Sequence, residues 1–192
     1  MTVVLQKGQN ISLSQANATL NKLHVGLGWD KRDTKGAAFD LDASAFLLDT
    51  NDKVHSDADF IFYNQLMSAC GSVRHTGDNR TGSGEGDDEV ILVDLERVPA
   101  DVQKVVFVVT IHEAKRRWQH FGMVQNAYIR IANAEDRKEL VRYNLTEEAS
   151  IAASMVFGEL YRHKDEWKFK AIGQGYAAGL KVLAENFGVD IG

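Results

Sequence analysis

The 192-residue sequence is poor in cysteine and proline, with one residue of each. A single cysteine, Cys70, excludes an internal disulfide framework and any Cys-x-x-Cys metal or redox motif, and we expect it to be a small buried side chain. With one proline and no long low-complexity run, the sequence shows no linker. We therefore expect one domain over residues 1–192, long enough to bury a substantial core.

The chain also lacks an excess of positive charge and long hydrophobic runs. Its 22 Lys and Arg residues are outnumbered by 27 Asp and Glu residues, which gives a formal net charge of −5. Nucleic-acid binding needs clustered cations to neutralise phosphates, so the balance argues against nucleic acid as a partner. No apolar run is long enough to span a bilayer, and the N-terminus has no secretory-signal pattern. These absences predict a soluble cytoplasmic protein that does not span a membrane.

What the sequence does contain is the two-residue alternation of half-buried strands. The stretch FDLDASAFLLD (39–49) is the clearest case. Phe39, Leu41, Ala43 and Ala45 are predicted to face one side of the sheet, while Asp40, Asp42 and Ser44 face the other. Asp40 and Asp42 are therefore expected to lie side by side on one sheet face.

Similar patterns predict further strands in KLHVGLGWD (22–30), DFIFYNQ (59–65), EVILVDL (89–95), VVFVVTI (105–111) and AYIRIAN (127–133). The stretch LYRHKDEWKF (160–169) predicts a hairpin that turns at Lys164 and Asp165. Helical signals are few: Pro99 favours a short helix in VPADVQK (98–104). A C-terminal helix is predicted to end at Gly188, with one apolar stripe: Tyr176, Leu180, Leu183, Ala184 and Phe187. The predicted fold is mainly β, an antiparallel β-sandwich with short helices and a packed C-terminal helix.

The compositional anomaly is the glycine-rich acidic stretch GDNRTGSGEGDDE (77–89). Against one cation, Arg80, it sets five carboxylates: Asp78, Glu85, Asp87, Asp88 and Glu89. Carboxylates this close must take up protons or share a cation. Hard oxygen donors are the ligands of Ca²⁺, and glycines let a loop turn its backbone carbonyls inward. A solvated surface loop is the competing interpretation, but the Asp40 and Asp42 pair and Asp30 in GWD favour a joint site.

Known loop motifs do not account for this stretch. EF-hand positions three, five and six would be Arg80, Gly82 and Ser83, where that loop needs Asp or Asn twice and then Gly. A calcium-binding β-roll repeats in tandem, whereas this run occurs once. No Lys-Ser/Thr follows GSGEG as in a phosphate-binding loop, and an anion would meet an acidic wall.

Several stretches in order along nearly the whole chain resemble the TerD family of bacterial tellurium-resistance and stress-response proteins. The combination of DLDAS, HTGDN and GDDE is highly specific. The matching stretches are LGWD (27–30), FDLDASAFLLD (39–49), DADFIFYNQ (57–65), GSVRHTGDNRTGSGEGDDE (71–89), FGMVQNAYIRI (121–131) and GELYRHKDEWKFKAIGQGY (158–176).

The resemblance implies a β-sandwich that binds Ca²⁺, two ions in adjacent sites, and acts as a binding protein rather than an enzyme. Family members are implicated in resistance to tellurite, to phage and to pore-forming colicins. They are thought to act in complexes with related proteins at the cytoplasmic side of the membrane, which implies a peripheral location at its inner face.

Matched residue by residue, the family pattern gives a set of candidate calcium ligands. The acidic ligands would be Asp40, Asp42, Asp78, Asp87, Asp88 and Glu89. Further candidates are Asp30, Asn79 and the carbonyls around Gly82 and Gly84. Glu85 departs from the family pattern, in which Asp is common, and its longer side chain could still ligate. Calcium is expected to neutralise the carboxylates, so that the loop packs against the sheet face that carries Asp40 and Asp42. The ordered loop would then form a surface for a partner.

The alternative function is a metal-dependent hydrolase that uses the same carboxylates, since paired carboxylates can hold two metal ions. Its further candidate ligands or bases are His75 and His120. The zinc-protease motif is absent, because HEAKR (112–116) has Arg116 where that motif needs His. Direct reduction of tellurite would need thiols or a redox cofactor, and the sequence offers one cysteine and no cofactor motif.

The tryptophans Trp29, Trp118 and Trp167 are expected to pack in the core or at its rim, with contact to a partner as the alternative. The segment KRRW (115–118) is the best candidate on the chain for a basic contact surface with a membrane-associated partner or anionic lipid, and a solvated loop is the favoured alternative.

Overall fold

The computed structural model describes residues 2–16, 20–30, 36, 38–77, 86–145 and 151–190, and in them two six-stranded sheets pack face to face. The first sheet has the order β1 (Val3–Leu5), β10 (Glu139–Asn144), β9 (Tyr128–Asn133), β3 (Lys22–Gly28), β7 (Glu89–Asp94), β6 (Val73–His75). The second has the order β2 (Asn10–Ser12), β12 (Glu166–Tyr176), β11 (Ser154–His163), β8 (Lys104–Ile111), β4 (Leu41–Leu48), β5 (Phe60–Ile61).

The strand pairs of both sheets are antiparallel except that of β1 with β10, which is parallel. The longest pair, β11 with β12, forms the predicted hairpin, in which His163 lies opposite Glu166. The predicted class, a mainly antiparallel β-sandwich, is confirmed.

The main core lies between the two sheets and is built by the predicted alternation. From β3 it takes Leu23, Val25 and Leu27, and from the β4 segment Phe39, Leu41, Ala43, Ala45 and Leu47. Each fully buried Val, Leu or Phe side chain contributes about 1.5–3 kcal/mol relative to an exposed one. This burial fixes the register of β4, because a shift by one residue would turn its aspartates into the core.

A second, smaller core lies on the outer face of the second sheet, under the C-terminal helix α3 (Leu180–Asn186). Leu183 and Ala184 of α3 pack with Phe46 and Val108 of the sheet. The apolar stripe and the stop at Gly188, whose φ is +89°, agree with the sequence. The helix begins at Leu180, because Tyr176 is the last residue of β12 and pairs with Ser154.

Two local predictions were wrong. VPADVQK forms a turn closed by the Val102 N–H to the Pro99 carbonyl (3.1 Å) and not a helix. The Arg162 guanidinium accounts for this, since it donates to the carbonyls of Val98, Pro99 and Val102 and so holds them out of a helical ladder.

In DFIFYNQ only Phe60–Ile61 is a strand, since Phe62 pairs with Gln65 in a tight turn. The remaining helices in the described parts of the chain are short: α1 (Leu13–Ala16), α2 (Ala114–Arg117) and 3₁₀ turns at Asp57–Asp59 and Phe121–Met123. Among the described residues, none of the helices has the length and apolarity needed to cross a bilayer.

Candidate metal centre

Six of the eleven candidate ligands lie in the described residues, and the strand topology brings them to one end of the sandwich. Asp30 follows the end of β3, Asp40 and Asp42 lie at the start of β4, and Asp87, Asp88 and Glu89 lie at the start of β7. Strands β3 and β7 are antiparallel, so that Leu27 lies opposite Glu89. The other five candidates, Asp78, Asn79, Gly82, Gly84 and Glu85, lie outside the described residues and stay predictions.

The surroundings of the Asp88 side chain disfavour the negative charge of its carboxylate. Its N–H donates to the Leu27 carbonyl (2.7 Å), and its Oδ2 accepts from the Trp29 N–H (2.9 Å). Burial raises the pKa of Asp88, and the negative charges of Asp87 and Asp30 raise it further against the opposing effect of the Trp29 hydrogen bond. A cation at this position would favour the ionised carboxylate.

Glu89 points inward between the sheets and ties them together. Its Oε2 accepts from the N–H of Ala43 on the facing sheet (2.5 Å), and both its side chain and that of His75 are fully buried. The His75 Nδ1 accepts from the Gly77 N–H (3.1 Å), so in the neutral ring Nε2 carries the hydrogen. That Nε2 lies 3.5 Å from Glu89 Oε2 and has no hydrogen-bond partner among the residues that the structure describes.

Asp40 and Asp42 lie on the outer face of the second sheet, as predicted, and are nearly buried. The Arg117 guanidinium lies 3.6 Å from Asp40 Oδ2, and His112 Nδ1 lies 3.7 Å from Asp42 Oδ2. The cation of Arg117 thus lies beside Asp40, and the imidazole of His112 lies beside Asp42. A metal ion bound here would have to displace or reorient them.

Asp87 takes part in a different network, on the outer face of the first sheet. Its carboxylate accepts two hydrogen bonds from Arg130 (2.7 and 2.8 Å), one from the Tyr128 hydroxyl (3.0 Å), and contacts His24 Nε2 (2.7 Å). It occupies the space over Gly26, where a Cβ would lie 2.1 Å from Asp87 Oδ2. Both oxygens of the Asp87 carboxylate form hydrogen bonds to protein groups. The geometry therefore favours a structural role for Asp87, which anchors the end of the acidic stretch, over a role as metal ligand.

These bonds outweigh the cost of burying the Asp87 charge. Burial alone would raise the pKa of Asp87, but the bonds from His24, Arg130 and Tyr128 lower it to about 2. Burial beside Asp87 in turn raises the pKa of Tyr128 to about 12. Sequence reasoning missed this network because Arg130 lies 43 residues from Asp87 in the chain. Gly26, a glycine within a strand, was the one feature of the local sequence that pointed to a close contact here.

Asp30 is exposed at the rim of the same end. Its N–H donates to the Gln125 carbonyl (3.0 Å), and its Oδ2 accepts from the Asn126 side chain (2.5 Å). These bonds connect the loop after β3 to the loop before β9.

The donor chemistry suits a hard cation, but the described residues alone do not complete a site. They contain no group of three or more His, Cys, Asp or Glu side chains arranged to hold a metal ion. Ca²⁺ takes six to eight oxygen ligands. Asp88 and its neighbours offer carboxylate oxygens of the right kind, and a full coordination sphere would need donors from residues 78–85.

An open groove of about 850 Å³ lies next to Asp42, between α2 and the start of α3. His112, Glu113 and Arg116 line it beside Asp42. Four of its polar side chains form two pairs: Asp42 with His112, and Glu113 with Arg116 (2.6 Å). Within the described part of the chain, the groove therefore offers no cluster of metal ligands of the kind a metal-dependent hydrolase needs.

Comparison with known proteins identifies the family and agrees with the fold. The TerD domain family model matches residues 1–187. The chain is 56% identical to the tellurium resistance protein TerD of Serratia marcescens over 190 residues, 99% of each chain. It is 53% identical to general stress protein 16U of Bacillus subtilis (strain 168) over 193 residues, the whole of each chain.

The fold also matches a crystal structure of a Streptomyces coelicolor homologue of the telluride resistance protein TerD. The TM-score is 0.67 at 22% identity, covering 86% of this chain and 95% of that one, which supports the fold alone. The family match along the chain and the two full-length relatives show more: the chain belongs to the TerD domain family of tellurium-resistance and stress-response proteins.

Proposed function

We propose that this protein binds Ca²⁺ at the end of the sandwich formed by the starts of β4 and β7, and that it acts as a calcium-dependent interaction module without a catalytic step of its own. The observation that carries the proposal is Asp88. Its pKa is raised by burial and by two neighbouring carboxylates, so the folded chain holds a negative charge that a bound cation would stabilise.

The surrounding residues support the same role. Asp87 fixes the end of the acidic stretch to the first sheet, and Glu89 joins β7 to the backbone of β4 at Ala43. Ca²⁺ would supply the positive charge that offsets the repulsion among the carboxylates. Asp88 would be a ligand, and Asp40, Asp42 and Glu89 would supply further oxygens together with the candidates in residues 78–85. Loop residues held in this way would form a surface for a partner.

The proposal extends to the cellular role. The relatives' names concern tellurium resistance and general stress, and we infer that this chain serves the same kind of response. The proposed setting is the cytoplasm, with related family proteins and a membrane-associated complex as partners. An indirect role in resistance is favoured, because direct reduction of an oxyanion would need more than the single thiol of Cys70.

Calorimetric titration tests the metal. Chelator-stripped protein is titrated with Ca²⁺ in excess Mg²⁺, beside Asp88→Asn and the matched control Asp165→Asn, an exposed hairpin aspartate on the β11–β12 turn. We expect Ca²⁺ heat in the parent and the control, and at least tenfold weaker binding in Asp88→Asn. The amide oxygen can still accept the Trp29 hydrogen bond, so the loss would report charge rather than misfolding.

Two results would contradict the proposal: no heat with Ca²⁺, or equal affinity in Asp88→Asn and the parent. Heat with Mn²⁺ or Mg²⁺ alone would instead favour the alternative, a metal-dependent hydrolase built on the same carboxylates.

A further inference from the structure

Trp118 is the exception among the three tryptophans. Trp29 and Trp167 are buried, at 5% and 8% exposure, whereas Trp118 is 87% exposed. Packing in the core or at its rim was the wrong expectation for Trp118, because the turn after α2 directs it into solvent, and the alternative, contact with a partner, is untested. A tryptophan left in water forgoes the largest hydrophobic gain available to any side chain.

The backbone around Trp118 is held in an uncommon conformation. Glu113, before α2, and Trp118, after it, both have left-handed φ values of +51° and +54°. Bulky side chains rarely adopt this region, and such strain concentrates at positions with a function. The Trp118 N–H donates to the Ala114 carbonyl, as does the Gln119 N–H (2.9 Å). Ala114 and Gln119 are buried, so the tryptophan is presented from a fixed turn.

The residues that precede the exposed ring are rich in positive charge. Residues 113–118, which we call the α2 tip, contain Lys115, Arg116 and Arg117 against one acid, Glu113, for a net charge of +2 in a chain of net charge −5. Glu113 pairs with Arg116 (2.6 Å) and with Arg117 (3.4 Å). Lys115 and Arg116 are exposed. Arg117 also lies 3.6 Å from Asp40, so Lys115 and Arg116 are the cations that the tip exposes to solvent.

A second exposed apolar side chain lies on the neighbouring segment. Ile151 is 77% exposed, and the adjoining Ala152 carbonyl accepts from the Phe121 N–H (2.9 Å). That bond brings the chain before β11 next to the chain after the α2 tip.

We propose that the α2 tip docks on the surface of an anionic lipid bilayer, with Trp118 at the level of the head groups and Lys115 and Arg116 against lipid phosphates. Tryptophan prefers this interface because its ring is apolar and its N–H is polar, and cations are attracted by anionic lipid. The ring directly follows three basic residues in the chain, and an aromatic ring next to basic residues is the pattern of a segment that binds at the membrane interface. Arg117 of the tip contacts Asp40, whereas the proposed lipid contacts use Trp118, Lys115 and Arg116, so the proposal does not rest on calcium binding.

The tryptophans provide their own measurement. The protein is mixed with phosphatidylglycerol-containing vesicles or with pure phosphatidylcholine vesicles, in the presence of a chelator, and emission and iodide quenching are recorded. We expect a blue shift and reduced quenching only with the anionic vesicles, and loss of both changes in Trp118→Phe. The chelator excludes a calcium bridge between the acidic loop and lipid, so the outcome does not depend on the proposed metal site.

Charge variants test the cations by co-sedimentation with the same vesicles. Each surface cation contributes about fivefold in affinity, so Lys115→Ala/Arg116→Ala is expected to bind about 25-fold more weakly. The matched control is Lys22→Ala/Lys138→Ala, which removes two exposed charges elsewhere and should bind like the parent. No spectral change with anionic vesicles, equal loss in both double variants, or vesicle binding only when Ca²⁺ is present would overturn the proposal. If the protein does not bind the vesicles, an acidic protein surface becomes the favoured partner of the α2 tip.

Discussion

Asp87 and Asp88 are neighbours in the chain, but their carboxylates lie in opposite electrostatic surroundings. Asp87 meets the cation of Arg130 and two further polar groups, so its pKa is lowered to about 2. Asp88 is partly buried and lies near two other carboxylates, so its pKa is raised. Sequence patterning placed both residues in one acidic group and could not separate them, because the difference comes from side chains of β3 and β9 that are distant in sequence.

The lowered pKa makes Asp87 a contributor to acid stability. Its folded pKa of about 2 lies below the ordinary value of 3.8, so its stabilisation is present above about pH 4 and lost as pH falls toward 2. A shift of this size corresponds to about 2 kcal/mol. We expect Asp87→Asn to lower the free energy of unfolding by about that amount at neutral pH. Urea unfolding of the calcium-free protein at a series of pH values measures it.

The pH profile distinguishes this explanation from a general packing defect. The difference between parent and Asp87→Asn should shrink as pH falls from about 4 to 2, because the parent loses the same interaction by protonation. Asp165→Asn, an exposed aspartate, should follow the parent throughout. A gap that stays constant with pH would show that Asp87 does not stabilise the fold through its charge.

At the level of the elements, α3 is the clearest case in which the sequence predicted both the helix and its buried face. The periodic apolar residues Leu180, Leu183, Ala184 and Phe187 do contact the second sheet, and only the start of the helix was placed too early. Strand alternation in β4 and β7 was equally informative, because burial of one face fixes the register. Predictions of short elements were less successful. In VPADVQK, hydrogen bonds from the guanidinium of Arg162, which is distant in sequence, determine the backbone conformation.

The packing of α3 gives a prediction with an internal control. Leu183 is 2% exposed in the second core, whereas the adjacent Val182 is 42% exposed. Leu183→Ala should cost about 2–5 kcal/mol through lost burial and a cavity. Val182→Ala should cost under about 1 kcal/mol, since that side chain is largely in water. Denaturant unfolding of both variants measures the difference, and equal losses would show that α3 contributes little packing to the fold.

For the whole molecule, the candidate ligands come from three strand ends, so bound calcium should stabilise the sandwich rather than one loop. Asp30 follows β3, Asp40 and Asp42 open β4, and Asp88 and Glu89 open β7. The sequence predicted that these residues share a site through family resemblance. It could not predict that Asp40 faces Arg117 and Glu89 faces His75, since these contacts depend on the packing of the two sheets.

A ligand that binds only the folded state at 100 times its Kd adds about 2.7 kcal/mol to the free energy of unfolding. For a chain of this size that corresponds to a rise in Tm of roughly 5–11 °C. We expect this rise in saturating Ca²⁺ for the parent and for Asp165→Asn, and little or none for Asp88→Asn. In chelator, Asp88→Asn should melt at or above the parent temperature, because it removes a carboxylate whose charge is disfavoured in the fold. Calorimetric melting of the three proteins, each in Ca²⁺ and in chelator, measures these Tm differences. A calcium-dependent rise in Tm that survives in Asp88→Asn would place the ion elsewhere.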